Sequence, residues 1–188
     1  MIQCVYILRF YTFNLKRGGV KLAIDFTENL DVMMQQLHRK GAFLTVKHGE
    51  KVNTMTISWG DIGYQWNRPI FTVLVRKSRY THEFLEKNRN FTVSIPIDKE
   101  FEKALVLCGT KSGRDMDKIE KCQLNLEPGK NIDVPVIGNC GFVYECKVVY
   151  KQDMDLSLMD ESIKKSAYPD EDIHTMYFGE IVACYKNK

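Results

Sequence analysis

The 188-residue sequence contains none of the short motifs that identify the common metal, nucleotide and hydrolase sites. Because it lacks a CxxC pair and a zinc-finger spacing of cysteine and histidine, no metal site is predicted. Neither GxGxxG nor GxxxxGKS/T occurs, which leaves a Rossmann dinucleotide site and a P-loop without support. No GxSxG elbow is present, so a serine-hydrolase site is not indicated either.

Signals for secretion and for membrane insertion are missing as well. Residues 1–13 (MIQCVYILRFYTF) are apolar apart from Arg9, but they are too short to cross a bilayer. They also lack a basic leader and a small-residue cleavage site. We therefore expect a cytoplasmic protein with no membrane partner, whose six cysteines are reduced and mostly buried.

The first residues differ in pattern from the rest of the chain, which becomes regular only from about Leu22. Arg-Gly-Gly at residues 17–19 matches what a translated ribosome-binding sequence would give. We predict that residues 1–21 are an extension, disordered or produced by a misassigned start codon; an ordinary N-terminal strand or arm explains them equally well. Residues 22–188 are predicted to form one domain, large enough to bury about 70% of its unfolded surface.

The net charge of +3 originates in that first segment. Residues 1–21 contain four of the 27 lysines and arginines and none of the 24 acids, so residues 22–188 carry 23 bases and 24 acids. The predicted domain is therefore close to neutral, and we expect no nucleic-acid partner.

Strand patterns outnumber helical patterns after residue 22. Strands are predicted at residues 42–47, 52–59, 70–76, 91–95, 142–150 and 175–185, with weaker ones near 122–126 and 134–137. Helices are predicted after the N-caps Thr27, Thr81 and Asp98, and near residues 160–165. Because helices do not alternate regularly with strands, the fold class is predicted to be mainly β, an antiparallel β-barrel with peripheral helices.

Two stretches combine groups that suit an anion and a flat ring. At a predicted strand end and helix start, donors suited to a phosphate come from Arg76, Ser78, Arg79 and Thr81. Along residues 53–59, the hydroxyls of Thr54, Thr56 and Ser58 and the main-chain amides could bind the edge of a heterocycle. Trp59 or the nearby Trp66 could cover part of its apolar surface. A solvated basic turn and a half-exposed strand are the alternative interpretations.

Two further features are weaker when taken alone. Residues 108–118 (CGTKSGRDMDK) form a flexible, donor-rich loop that is more typical of a surface turn than of a site. His174 precedes the last predicted strand, where it could donate to a cofactor carbonyl or exchange a proton near neutral pH, although a lone histidine is more often structural.

In combination, these segments resemble the flavin reductase-like family of FMN-binding split-barrel proteins, which includes flavoredoxins. The matching stretches are residues 52–59 (VNTMTISW), 75–81 (VRKSRYT), 108–118 (CGTKSGRDMDK), 144–148 (YECKV) and 174–183 (HTMYFGEIVA). Their order and spacing cover the chain from about residue 24 to its end. Lys77, where relatives often carry proline, and the segment before Leu22 depart from the family pattern.

The resemblance implies an FMN-binding split-barrel homodimer, with FMN near the subunit interface. The residues implied to lie along the flavin ring are Asn53, Thr54, Met55, Thr56, Ser58 and Trp59. Those implied near the phosphate and ribityl chain are Arg76, Ser78, Arg79, Tyr80 and Thr81, with Ser112, Gly113 and Lys118 in a loop that closes over the flavin. His174 would approach from the last strand as the candidate catalytic residue.

From the same likeness we expect an NAD(P)H-dependent oxidoreductase that passes electrons through bound FMN to a free flavin, ferric iron or a redox protein. A flavoredoxin-like carrier, reduced by a partner protein without direct NAD(P)H oxidation, is the alternative. A binding protein that has kept the barrel and lost the flavin is a more distant one.

Overall fold

The computed structural model describes residues 25–187, so the predicted extension over residues 1–21 lies outside the described part of the chain. The strands within it are β1 (Ala42–His48), β2 (Lys51–Ile57), β3 (Gly60–Gln65), β4 (Arg68–Arg76), β5 (Asn90–Pro96), β6 (Leu126–Glu127), β7 (Val136–Ile137), β8 (Gly141–Asp153) and β9 (His174–Asn187). The helices are α1 (Leu30–Arg39), α2 (Tyr80–Lys87), α3 (Glu102–Thr110), α4 (Lys118–Lys121) and α5 (Glu161–Ala167).

Seven strands form one antiparallel sheet in the order β2-β1-β5-β8-β9-β4-β3, and β6 pairs with β7 separately. The sheet curls so that β2, at one edge, approaches β4 near the other edge. No hydrogen-bonded ladder joins these two strands in the described chain, which leaves a seam between them. The predicted mainly β fold with peripheral helices is confirmed.

The sequence patterns predict neither strand β3, with the turn that joins it to β4, nor the short helix α4. Gln65 pairs with Arg68 across a two-residue turn in which Trp66 and Asn67 both have positive φ, 51° and 58°. Two positive φ values define the tight hairpin turn that matches strand twist. The turn has tryptophan, which rarely adopts this conformation, in place of the Asn-Gly or Asp-Gly step by which such turns are recognised in a sequence.

Two helices begin at other residues than the predicted caps. Helix α1 starts after Asn29, and Thr27 lies in the turn before it. Helix α2 starts two residues early, after Arg79, because the Arg79 amide donates to the Arg76 carbonyl and closes a turn that places Thr81 inside the helix. Asp98 does precede a helix, the 3-10 turn Lys99–Phe101 that continues into α3, but its side chain makes no capping bond.

The main core fills the inside of the curled sheet. Helix α1 covers one opening with Met33 and Leu37, both buried, and α2 adds Phe84 and Leu85. Each such side chain contributes roughly 1.5–3 kcal/mol through burial of apolar surface. Met33 and Leu37 are four residues apart, so they lie on the same side of α1.

A buried carboxylate fixes the segment that precedes β7. Glu145, in the middle of β8, accepts hydrogen bonds from the amides of Lys130 (2.6 Å), Asn131 (2.7 Å) and Ile132 (3.1 Å). The Tyr185 hydroxyl donates a fourth bond at 2.9 Å. Four donors satisfy both carboxylate oxygens, which makes burial of this group tolerable.

Replacement of Glu145 by glutamine is expected to lower the free energy of unfolding by about 2–4 kcal/mol, because the amide NH2 would face main-chain donors that need an acceptor. Urea denaturation monitored by circular dichroism measures the change. Glu50→Gln, in the exposed turn between β1 and β2, is the matched control and should change stability by less than about 0.5 kcal/mol. Equal stability of Glu145→Gln and wild type would contradict the role given to this carboxylate.

Candidate functional site

An open groove follows the seam between β2 and β4. It consists of two cavities of about 180 and 110 Å³ that share Met55 and Arg79 in their walls. The larger cavity is further lined by Thr56, Ser58, Trp59, Leu74, Arg76 and His174. The smaller one is further lined by Asn53, Ser78, Tyr80, Thr81, Cys108, Lys111, Ser112, Gly113, Arg114 and Lys118.

The structure thus brings together every predicted site residue except Thr54. The Thr54 side chain is fully buried, where its hydroxyl donates to the Leu44 carbonyl at 3.3 Å and accepts from Thr45 Oγ1 at 3.1 Å. The groove also includes Leu74, which the sequence pattern assigned only to the predicted strand at residues 70–76. Alternation along β4 would have placed it on the face opposite Val73 and Val75.

The row of hydroxyls predicted along β2 is reduced to one. Thr56 Oγ1 donates to the Leu105 carbonyl of α3 at 2.6 Å, so its proton is already used, as is that of Thr54. Ser58 alone of the three makes no side-chain hydrogen bond within residues 25–187. The main-chain groups on the outer edge of β2 are available in addition, because this strand has a ladder partner, β1, on one side only.

The smaller cavity is built around a close approach of three segments. Asn53 Nδ2, on β2, donates to Thr81 Oγ1 of α2 at 2.8 Å. Gly113, in the loop between α3 and α4, passes so near that a Cβ at this position would lie 2.0 Å from Asn53 Oδ1. Only glycine fits there, which explains the Ser-Gly step of the predicted loop. Asn53 and Thr81 therefore shape the floor of the cavity.

Of the five lysines and arginines that line the groove, Arg114 pairs with Glu83, whereas Arg76, Arg79, Lys111 and Lys118 form no ion pair within residues 25–187. Lys118 is buried, and its Nζ donates to the carbonyls of Cys108 (3.3 Å) and Lys111 (3.2 Å). Burial lowers the pKa of Lys118. Half-buried Arg79, which lines both cavities, forms no ion pair within residues 25–187. Cations that are desolvated without a counter-charge favour binding of an anion.

Arg76 and Ser78, also predicted as phosphate donors, are engaged by the connection between β8 and β9 (residues 154–173). The Arg76 guanidinium donates to the carbonyls of Asp172 and Ala167. Ser78 Oγ donates to Asp172 Oδ2 at 2.6 Å. Arg76 thus anchors the 154–173 connection beside the groove, a role that the local sequence did not reveal because the partners lie more than ninety residues away.

His174 is fixed at the opposite end of the groove. Its Nδ1 lies 2.7 Å from the Tyr168 hydroxyl, and its ring packs at 5.2 Å, centroid to centroid, from that of Trp59. Burial, reinforced by the charge of Arg76, lowers the pKa of His174 to about 4. The imidazole is therefore neutral near pH 7, which favours hydrogen-bond donation over proton exchange.

Residues 25–187 contain no group of three or more His, Cys, Asp or Glu side chains arranged to hold a metal ion. Four of the cysteines within this range are buried, and Cys122 is half-buried. A search of the helices in the same residues finds none that is long and apolar enough to cross a membrane.

Comparison with known proteins gives a consistent picture. Residues 34–188 match the family model described as "Flavin reductase like domain". An uncharacterized protein of Archaeoglobus fulgidus is 33% identical over 117 residues, which cover 62% of this chain and 65% of the relative, so the match spans slightly less than two thirds of that protein.

Solved structures share the fold. Flavoredoxin from Methanosarcina acetivorans has a TM-score of 0.63 and 26% identity, covering 79% of this chain and 69% of its own. An NADH:FAD oxidoreductase of Streptomyces globisporus, SgcE6, has a TM-score of 0.60 and covers 90% of this chain and 89% of its own. At 18% identity, the second likeness concerns the fold alone. The split-barrel fold expected from the sequence is confirmed.

The low pKa of His174 predicts a loss of stability in acid. Between pH 6.5 and about 4 the unfolded chain binds a proton at this residue that the folded chain does not, so stability falls as the pH is lowered. Between pH 7 and pH 4.5, we expect the unfolding free energy of His174→Gln to fall by about 2–3 kcal/mol less than that of wild type. Urea denaturation at both pH values measures it, with His38→Gln, at an exposed position of α1, as control. An unchanged pH dependence in His174→Gln would contradict the assignment.

Proposed function

The chain belongs to the flavin reductase-like family, and from that premise we propose that it binds FMN in the groove and oxidises NAD(P)H. The observation that carries the proposal is that Arg79 and buried Lys118 line the same cavity and have no carboxylate partner within residues 25–187. This cavity lies in a groove bordered by an edge strand. A phosphate supplies the missing counter-charge, and the outer amides of β2 suit the polar edge of a flat ring.

The residues of the groove fit the two ends of FMN differently. At the phosphate end, Lys118 and Arg79 supply charge, and Gly113 lets the loop after α3 approach Asn53 closely. At the ring end, Trp59 and Leu74 offer apolar surface beside Ser58. FMN, when bound, supplies the two-electron chemistry, while the protein supplies orientation and electrostatics.

His174 is proposed to hold a proton at Nε2. Tyr168 donates to Nδ1 more favourably than to the Met154 sulfur, which is the weaker acceptor, and this leaves Nε2 protonated in the neutral ring. A neutral donor in a half-closed groove can stabilise negative charge that develops on a ligand oxygen or nitrogen, without exchanging protons with solvent. Trp59 packs against His174 and limits the orientation of its ring.

A second function, that of an electron carrier reduced by another protein, is supported by the likeness to the flavoredoxin of Methanosarcina acetivorans. Direct oxidation of a nicotinamide is proposed from membership of the flavin reductase-like family. The two functions differ in the electron donor and share the proposed FMN site.

Lys118→Met is expected to weaken FMN binding by about 10- to 100-fold, because it removes a buried charge near the proposed phosphate position. Fluorescence titration measures the affinity for FMN and for riboflavin, which lacks the phosphate; the loss should be confined to FMN. Lys121→Met, an exposed lysine of the same short helix, is the matched control. An equal loss for both flavins would place the phosphate elsewhere.

Anaerobic titration of the FMN-loaded protein tests the electron donor. We expect NADH or NADPH to bleach the flavin absorbance within seconds, with one equivalent sufficient for complete reduction, since a hydride carries two electrons. Flavin that stays oxidised with both nicotinamides, and is bleached by a reduced ferredoxin, would identify the carrier instead.

A further inference from the structure

The anion-binding turn at residues 76–81 already holds an anion, and this anion is supplied by the chain itself. The carboxylate of Asp172 accepts from the Ser78 amide through Oδ1 (3.2 Å) and from the Ser78 hydroxyl through Oδ2 (2.6 Å). Both bonds join residues ninety-four positions apart in the sequence. The two donors of Ser78 that the sequence predicts for a phosphate are therefore taken by a carboxylate.

Two hydrogen bonds hold the backbone at Asp172 and Ile173 in position. Arg76 donates to the carbonyl of Asp172 itself, and the Lys77 amide donates to the carbonyl of Ile173 at 3.1 Å. These contacts fix the backbone of the 154–173 connection, while the Asp172 side chain is attached to the turn through Ser78 alone. A rotation of that side chain would free both donors without moving the connection.

Ser78 stands where a phosphate would also contact the unpaired cations. It lines the smaller cavity together with Arg79 and Lys118, and it lies two residues before α2. The Ser78 amide and hydroxyl near the start of α2, the Arg79 guanidinium and the Lys118 ammonium together form a donor set typical of phosphate sites. A carboxylate and a phosphate monoester cannot share these donors, because like charges at hydrogen-bonding distance repel strongly.

We propose that Asp172 sets the affinity for the phosphate end of the flavin. Its carboxylate occupies the Ser78 donors and must leave them before a phosphate can bind there. The residue is a specificity determinant that acts against phosphate-bearing flavins and leaves phosphate-free flavins unaffected. This inference rests on the proposed FMN site and adds to it an internal competitor for one part of the ligand.

The test compares FMN with riboflavin, which differ only in the phosphate, on wild type and on Asp172→Asn. Asparagine keeps the shape and one acceptor oxygen but removes the competing charge. We expect Asp172→Asn to bind FMN about tenfold more tightly, while the riboflavin affinity changes by less than about twofold. Asp170→Asn, an exposed acid of the same connection with no hydrogen bond to the turn, should change neither affinity.

A double-mutant cycle separates competition for the Ser78 donors from a general effect of charge. In Ser78→Ala, where one of the two shared donors is gone, Asp172→Asn should improve FMN binding by less than it does in wild type. Unchanged or weaker FMN binding by Asp172→Asn, an equal gain for both flavins, or an undiminished gain in Ser78→Ala would each overturn the inference. Failure of wild type to bind either flavin would overturn the proposed function along with it.

Discussion

Among the described strands, β2 has a hydrogen-bonding neighbour on one side only, and the groove exists because of this constraint. The sheet curls far enough to bring β2 near β4, yet the two strands form no ladder. A closed barrel would have consumed the outer amides of β2 and filled the seam with side chains. The open seam instead leaves main-chain donors and a lining contributed by strands, by helix α2 and by the loop after α3.

The distribution of charge along this seam is uneven. At one end, Arg79 and Lys118 are desolvated without a carboxylate, and at the other, His174 is neutral because burial and Arg76 oppose its protonation. Arg76 acts at the His174 end, where its guanidinium binds carbonyls of the 154–173 connection and lies 5.0 Å from the Tyr168 ring. The same arginine that was expected to bind a ligand therefore organises the residues around His174.

Much of the architecture could be predicted from the sequence because it depends on local patterns. Alternation and β-branched runs located the long strands, and spacing of three and four placed Met33 and Leu37 on the buried face of α1. The hairpin at Trp66 and Asn67 could not be found in this way, because its turn uses residues without the usual glycine signal. Likewise, the contacts of Thr54, Thr56 and Asp172 depend on partners that are distant in sequence, and no local pattern encodes them.

The bonds of Glu145 have a consequence for how this chain can vary among its relatives. The carboxylate binds the main-chain amides of residues 130–132, which every amino acid except proline possesses, and it touches none of their side chains through these bonds. The conformation of that segment is therefore specified from β8, more than ten positions later in the chain. Substitutions at residues 130–132 are therefore limited by what their own side chains do, namely the Asn131 bond to the Val182 carbonyl and the burial of Ile132, whereas a change at Glu145 removes the acceptor for all three amides at once.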